Sequence, residues 1–243
     1  MKRVLLLHGL CCICLCQAAV SQNKSEDSAS FQSAYAKSIE IYHQSIYPST
    51  TLYNGAKYTG YPFPFKEGHP YFISAVTGVG SIEKGGVLYN DVKFLFDIVR
   101  ERLIVFSPEQ EAILITNDLI KSFAIHNYHF IHVRDQNASI RAGYYALLYD
   151  GSVQVLWKNW KIIRSVIEQS SEQRYIDERN QYYLKKGDKY YPISGKRDVL
   201  KILKDKKAEL QQLIRKEDLS FRKSEIAKSL TRIAGYYDQL IKQ

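Results

Sequence analysis

From Gly86 to Trp157 short apolar runs alternate with turn-forming residues, and this rhythm predicts a set of strands. Lys93 to Val99, Arg102 to Phe106, Ala112 to Thr116, Lys121 to Ile125 and Tyr128 to Val133 are all rich in Ile, Val, Leu, Phe and Tyr, residues that suit a pleated, half-buried surface. Pro108 and the pair Asn117-Asp118 interrupt them, which limits the expected strands to roughly 5 to 7 residues. Leu103 to Phe106 and Ala112 to Ile115 are apolar without alternation, as expected of strands covered on both faces or of a sheet curled onto itself. One phrase occurs three times: Leu52-Tyr53-Asn54-Gly55, Leu88-Tyr89-Asn90-Asp91 and Leu148-Tyr149-Asp150-Gly151. Asn-Gly, Asn-Asp and Asp-Gly tolerate the positive φ of a two-residue hairpin turn. Asn90-Asp91 is therefore expected to join Val87–Tyr89 to Val92–Phe94, and Asp150-Gly151 to join Tyr144–Tyr149 to Ser152–Trp157. The unequal spacing of the three phrases argues against a repeat architecture.

Helical spacing flanks this region. Phe31, Tyr35, Ile39, Tyr42 and Ile46 recur at steps of three or four and predict an amphipathic helix that ends before Pro48 and packs on the sheet; His43 lies beside that stripe. After a strand over Lys158 to Ile167, the polar stretch Glu168 to Asn180 carries no clear period, and Tyr182 to Leu184 and Tyr190 to Pro192 flank Gly187-Asp188 as a last hairpin. Val199, Leu200, Leu203, Leu210, Leu213 and Ile214 predict one helix with Ser194 as N-cap; Ile226, Leu230, Ile233, Tyr237 and Leu240 predict a second. The reading is an α+β fold: an antiparallel meander sheet, curled or half-barrel, with an N-terminal helix and a C-terminal helical pair. Its divisions are 1–21, 22–30 as a flexible arm, 31–193, and 194–243 as a basic antiparallel helix pair.

The first residues change the picture of compartment. Lys2-Arg3, an apolar run of 13 residues from Val4 to Cys16, and Ala19 and Ser21 before Gln22 have the layout of a cleaved secretory signal. Such a run is shorter than the roughly 18 or more apolar residues a spanning helix needs. A lipoprotein anchor is the rival reading; no Gly, Ala or Ser directly precedes Cys11, Cys12, Cys14 or Cys16. All 4 cysteines lie in this leader and the only methionine is Met1, so a mature chain beginning at Gln22 holds no disulfide, thiol nucleophile or thiolate metal site. The expected location is periplasmic or extracellular after cleavage near Ser21. With strands this short, an outer-membrane barrel, whose strands need about 9 to 11 residues, is set aside. The net charge of +9 is concentrated at one end: Lys185 to Gln243 carries 16 Lys and Arg against 8 Asp and Glu, whereas Gln22 to Leu184 carries 16 against 17.

The candidate chemistry is sparse. Between Lys57 and Phe72, Tyr58, Tyr61, Phe63, Phe65, His69 and Tyr71 are interleaved with Pro62, Pro64 and Pro70. Proline keeps such a segment out of a sheet interior, so these residues are either a binding rim or a plug over one end of a curled sheet. His126, His129 and His132 are the only metal-like spacing, but on a straight strand His129 faces opposite to the other two, and a turn at His126-Asn127, which sets Phe123 against Phe130, separates them as well. Gly78-Val79-Gly80 lacks the third glycine of a dinucleotide fingerprint. Asp97 and Asp150 could serve glycoside chemistry only as a pair, and Asp150 already has a turn role. No catalytic residue, metal or cofactor is therefore expected.

Leu52-Tyr53-Asn54-Gly55, Gly68-His69-Pro70-Tyr71-Phe72, Val87-Leu88-Tyr89, Phe96-Asp97, Gly143-Tyr144-Tyr145, Tyr182-Tyr183-Leu184 and Gly235-Tyr236-Tyr237-Asp238 together resemble a group of uncharacterised secreted bacterial proteins. The resemblance implies export and a shared fold, and supplies no activity. The function expected is that of an exported, non-enzymatic binding or scaffold protein of the bacterial envelope. Its contact surfaces would be the aromatic loop and the basic helices, which suit anionic envelope lipid, glycan or an acidic protein; export disfavours nucleic acid. The alternatives are a carrier of an apolar ligand within the curled sheet and a hydrolase built on carboxylates.

Overall fold

The computed structural model describes residues 34, 35, 37, 38, 51–134 and 139–242. Met1–Thr50 and Thr51–Gln243 are separate compact units. In the first, Ala34, Tyr35, Lys37 and Ser38 are helical and Ser38 Oγ donates to the Ala34 carbonyl at 2.7 Å; the expected leader, the expected arm and the rest of the expected helix lie outside the described residues. The second unit, from Thr51 onward, contains the whole sheet and the C-terminal helices.

Eleven strands form one antiparallel sheet: β1 (Ala56–Lys57), β2 (Gly78–Lys84), β3 (Val87–Asp97), β4 (Arg102–Phe106), β5 (Ala112–Leu114), β6 (Ile120–Ile125), β7 (Tyr128–Val133), β8 (Gly143–Asp150), β9 (Val153–Glu168), β10 (Ser171–Lys186) and β11 (Lys189–Ile193). Their spatial order is β1-β5-β4-β3-β2-β6-β7-β8-β9-β10-β11. Two meanders are thus joined where β6 lies against β2. Three helices follow: α1 (Lys196–Ile202), α2 (Lys207–Lys216) and α3 (Ile226–Ile241).

Four two-residue hairpins set the register. Lys84 pairs with Val87, Ile125 with Tyr128, Glu168 with Ser171 and Lys186 with Lys189. The residues between them supply the required positive φ: Gly85 (61°) and Gly86 (83°), His126 (50°) and Asn127 (65°), Gln169 (47°) and Ser170 (65°), and Gly187 (59°). His126-Asn127 is a turn, with Phe123 opposite Phe130.

The thrice-repeated phrase proves to have three structures, and none is the two-residue turn expected of it. Leu52 ends a helical turn and is buried in the core, while Gly55 precedes β1 where a Cβ would strike the Leu114 carbonyl. Asn90-Asp91 lies within β3: Gly80 pairs with Val92 and Ile82 with Tyr89, so both residues oppose Ser81 in a bulge, with Asp91 at φ 54°. Beyond Asp150 the ladder resumes at Gln154, leaving a three-residue loop in place of the expected pairing of Tyr149 with Ser152.

Strand length also departs from expectation. β9 and β10 each run 16 residues and pair along their whole length, absorbing the stretch Glu168 to Asn180 that has no apolar period. Short strands therefore no longer argue against a membrane barrel; the sheet itself is open, with β1 and β11 at its edges. No described helix is long and apolar enough to cross a membrane.

The sheet rolls. In strand order β2, β6, β7 and β8 separate β3 from β9, yet Lys161 of β9 donates its backbone N–H to the carbonyl of Ile98, just past β3. Glu101 in the same turn accepts the Tyr144 N–H of β8 at 2.9 Å and pairs with Lys158. Inside the roll Phe72, Phe94, Phe96, Phe123, Phe130 and Tyr144 pack edge-on or stacked, with Phe123 and Phe130 at 4.8 Å. A second core lies under the helices, where Val153, Val155, Leu184 and Ile193 of the sheet meet Val199, Leu203, Leu210, Leu230, Ile233 and Tyr237. A third, with Val133, Ile140, Tyr145 and Leu156, is built largely from the strand positions between these.

The expected first C-terminal helix is broken at Leu203 and Lys204–Lys206 into α1 and α2. Its cap is not Ser194: the N-cap is Gly195, and the Asp198 carboxylate accepts the N–H of Ser194 at 2.8 Å and of Gly195 at 3.2 Å.

Candidate functional site

Antiparallel pairing places Trp157 opposite Tyr182, Asn159 opposite Asn180 and Lys161 opposite Glu178, so these six side chains share one face of the β9–β10 ribbon. Trp157 and Tyr182 lie nearly parallel, 11° apart, with ring centres at 6.3 Å. The Trp157 Nε1–H donates to Asn180 Oδ1 at 2.7 Å, and Asn159 Nδ2 donates to the same oxygen at 2.8 Å and to Glu178 Oε1 at 2.7 Å. With its carbonyl oxygen thus engaged, Asn180 is held in one orientation. Across from this strip the segment joining α2 to α3 brings Arg222, Lys223 and Ser224 to the rim of an open cleft of about 570 Å³, lined also by Trp157, Glu178, Asn180 and Tyr182. An adjoining hollow of about 400 Å³ continues along Glu178 to Tyr182 towards Ile193, Ser194, Phe221 and Ile226. Together they form a groove with an aromatic end, a fixed amide, one carboxylate and two cations.

Lys161 closes the far end of the strip. It is buried, at 8% exposure, and its Nζ donates to the carbonyls of His69 (3.0 Å) and Tyr71 (2.7 Å). Burial lowers its pKa, partly offset by Glu178 and Asp97. Through Lys161 the aromatic loop is tied to the sheet. Lys66 N–H donates to the Arg174 carbonyl and Ile176 N–H to that of Glu67, and then Phe72 N–H reaches Phe96 and Ile98 N–H reaches Pro70. The loop thus crosses from β10 to β3.

All six aromatic and histidine residues singled out in that loop are half-buried, and they fall into groups. Tyr61, Phe63 and Phe65 form a triangle with ring centres 5.1 to 5.9 Å apart. Arg100 stacks on Tyr61 at 3.9 Å and Arg174 on Phe63 at 4.1 Å. Tyr58 and Tyr71 share a hydroxyl–hydroxyl hydrogen bond of 3.2 Å, and His69 stacks on Tyr71. Burial raises the pKa of Tyr58 and of Tyr61, reinforced by the hydrogen bonds to Tyr71 and Asp97 respectively, and lowers that of His69.

The other candidates have structural partners. Asp97, 1% exposed, accepts the N–H groups of Val99 and Arg100 on one oxygen and the Tyr61 hydroxyl on the other. Asp150 accepts from Gln154 Nε2 at 2.7 Å. His126 sits in its turn beside Phe72, His129 is exposed on β7, and His132 stacks on Tyr144 at 4.6 Å. Among the described residues no group of three or more His, Cys, Asp or Glu is placed to hold a metal ion. Gly78 and Gly80 serve the sheet, since a Cβ on Gly80 would enter the Ala124 carbonyl of the neighbouring strand.

The groove was not foreseen from sequence. Its signal was present as two period-two triplets, Trp157-x-Asn159-x-Lys161 and Glu178-x-Asn180-x-Tyr182, but only their pairing across the ribbon gives them meaning. Compared with protein-family models, with curated proteins and with solved structures, the chain matches none.

Proposed function

We propose that this chain is an exported, non-enzymatic binding protein of the bacterial envelope that holds a partner in the groove between the β9–β10 ribbon and the segment preceding α3. The observation that carries the reading is the groove itself. Its aromatic and amide groups are fixed by their own hydrogen bonds, while Arg222 and Lys223 stand at its rim and give it attraction for an acidic ligand. The basic balance of the helical region supports the same polarity. Two alternatives lose support on the same grounds. Aromatic rings fill the interior of the roll where an apolar cargo would sit, and Asp97 is engaged on both oxygens in fixing a turn.

Trp157 reports directly on the groove, and Trp160→Phe isolates its emission. Anionic vesicles, an acidic glycan and an acidic peptide are each titrated at low ionic strength. A saturable change with at least one, weakened by salt and by Arg222→Glu/Lys223→Glu, is the expected result. A flat response to all three would end the proposal.

A further inference from the structure

The outer edge of β10 has a gap. In the β9–β10 hairpin, closed at Glu168–Ser171, alternate pairs exchange backbone hydrogen bonds, so the odd-numbered residues of β10 bond to β9 and the even-numbered ones turn N–H and C=O the other way. The outward carbonyl of Arg174 is taken by the Lys66 N–H and the outward N–H of Ile176 by the Glu67 carbonyl of the aromatic loop, and Tyr182, Leu184 and Lys186 face β11. Between these two neighbours lie Glu178 and Asn180. Their outward N–H and C=O groups have no hydrogen-bond partner among the described residues, and the hollow of about 400 Å³ lies against them. The stretch from Ile176 to Tyr182 spans about 20 Å at about 3.3 Å per residue, the length of a short extended segment.

Resting on the binding reading above, we propose that the groove takes an extended acidic polypeptide segment of a partner protein, which adds as a strand beside Glu178–Asn180 and completes the edge of β10. Backbone donors and acceptors at strand spacing are matched best by another backbone, and an unpaired edge is a template for one. Charge selects the segment. Arg222 and Lys223 line the groove against one carboxylate, Glu178, which already accepts a hydrogen bond from Asn159. The Trp157–Tyr182 pair at one end gives an anchor for an apolar side chain of the incoming strand.

The test uses the full chain and a seven-residue peptide of alternating Glu and Val, with two further versions N-methylated on one or the other alternate set of amides. Binding is read from Trp157 emission in the Trp160→Phe variant, and protection from amide hydrogen exchange of Glu178 and Asn180. Strand addition predicts that one methylated set weakens binding at least tenfold while the other changes it little, that Glu178 and Asn180 amides exchange at least tenfold more slowly with peptide, and that Lys223→Glu weakens binding with the exchange of free protein unchanged. If the peptide binds but both methylated sets bind alike or neither amide is protected, strand addition is wrong and the groove binds through side chains alone. If the two amides are already as protected as that of Leu184 in the free protein, the gap is filled by the chain itself and the proposal falls. If the peptide does not bind while vesicles or glycan do, the partner class is wrong and the binding role stands; if none binds, both fail.

Discussion

Asp238 ties α3 to the sheet by hydrogen bonds, beside the apolar contacts beneath the helix. Its carboxylate accepts the Tyr149 hydroxyl at 2.8 Å, the Ser152 N–H at 3.2 Å and the Ser152 hydroxyl, joining α3 to the β8–β9 loop. Burial raises its pKa, but these hydrogen bonds outweigh it and hold the pKa below the ordinary aspartate value. A depressed folded-state pKa contributes stability that is present above the unfolded value of about 4 and is lost as pH falls through the folded one. Asp238→Ala should therefore cost about 1–3 kcal/mol in urea unfolding at pH 7, with a difference from wild type that shrinks as the pH falls through the lowered folded pKa. Gly151 stands where it does because a Cβ there would overlap Asp238 Oδ2. Its φ is not in the left-handed region, so the turn chemistry that suggests Gly at this point in the sequence is not the cause. Gly151→Ala should destabilise by about 1–3 kcal/mol, and the double variant with Asp238→Ala should lose less than the sum of the two, because one substitution removes the nearest atom the other strikes, leaving only the contact with Tyr149 Cε1. Additive losses would show that the clash is not what excludes a side chain there.

At the scale of the element, the β9–β10 ribbon was only half legible. Apolar residues predict a strand over Lys158 to Ile167, but Glu168 to Asn180 has neither period nor β-branched run, and Ser171 to Asn180 becomes strand because β9 offers it ten consecutive partners, Asn159 to Glu168. Backbone pairing, cross-strand pairs such as Arg164 with Asp177, and the salt bridge from Lys66 to Glu168 take the place of burial, and Ile167 near the tip is 80% exposed. Gln169 and Ser170 occupy the left-handed region that Asn and Gly enter at lower cost. Replacing them by Asn-Gly should stabilise the protein by about 0.5–1 kcal/mol, read as a higher urea midpoint with unchanged slope. The hairpins at His126-Asn127 and Gly187-Asp188 were legible for the opposite reason: short apolar runs flank a turn of the right length. Asn90-Asp91 had the right dihedral preference for the wrong structure, since a positive φ serves a bulge as well as a turn.

Over the whole molecule, the roll buries cations and phenols together. Burial lowers the pKa of Lys84, Lys158 and Lys161, with Glu101 opposing the shift at Lys158, and raises that of Tyr58, Tyr61, Tyr144 and Tyr145. For the lysines the unfolded chain binds more protons between the lowered folded pKa and the unfolded value of about 10.4, so stability rises with pH across that window; for the tyrosines the folded chain keeps protons that the unfolded chain loses above about pH 10, so stability falls from there up to the raised folded pKa. Thermal unfolding followed by circular dichroism should show a midpoint that climbs as pH rises towards about 10 and then drops. A midpoint that never climbs on the alkaline side before it drops would mean that the buried lysines are ionised at little cost. By itself the sequence determined the class of fold, most strand positions, two of the hairpin turns and the basic end, because dihedral preference and hydrophobic period are properties of neighbouring residues. Tertiary structure decided the roll, the partition of one repeated phrase into cap, bulge and loop, and the groove with its unpaired edge. Those depend on which atoms from distant parts of the chain come within hydrogen-bonding or van der Waals reach, and Lys161 meeting His69, Tyr71 and Ile98 is written in no local pattern.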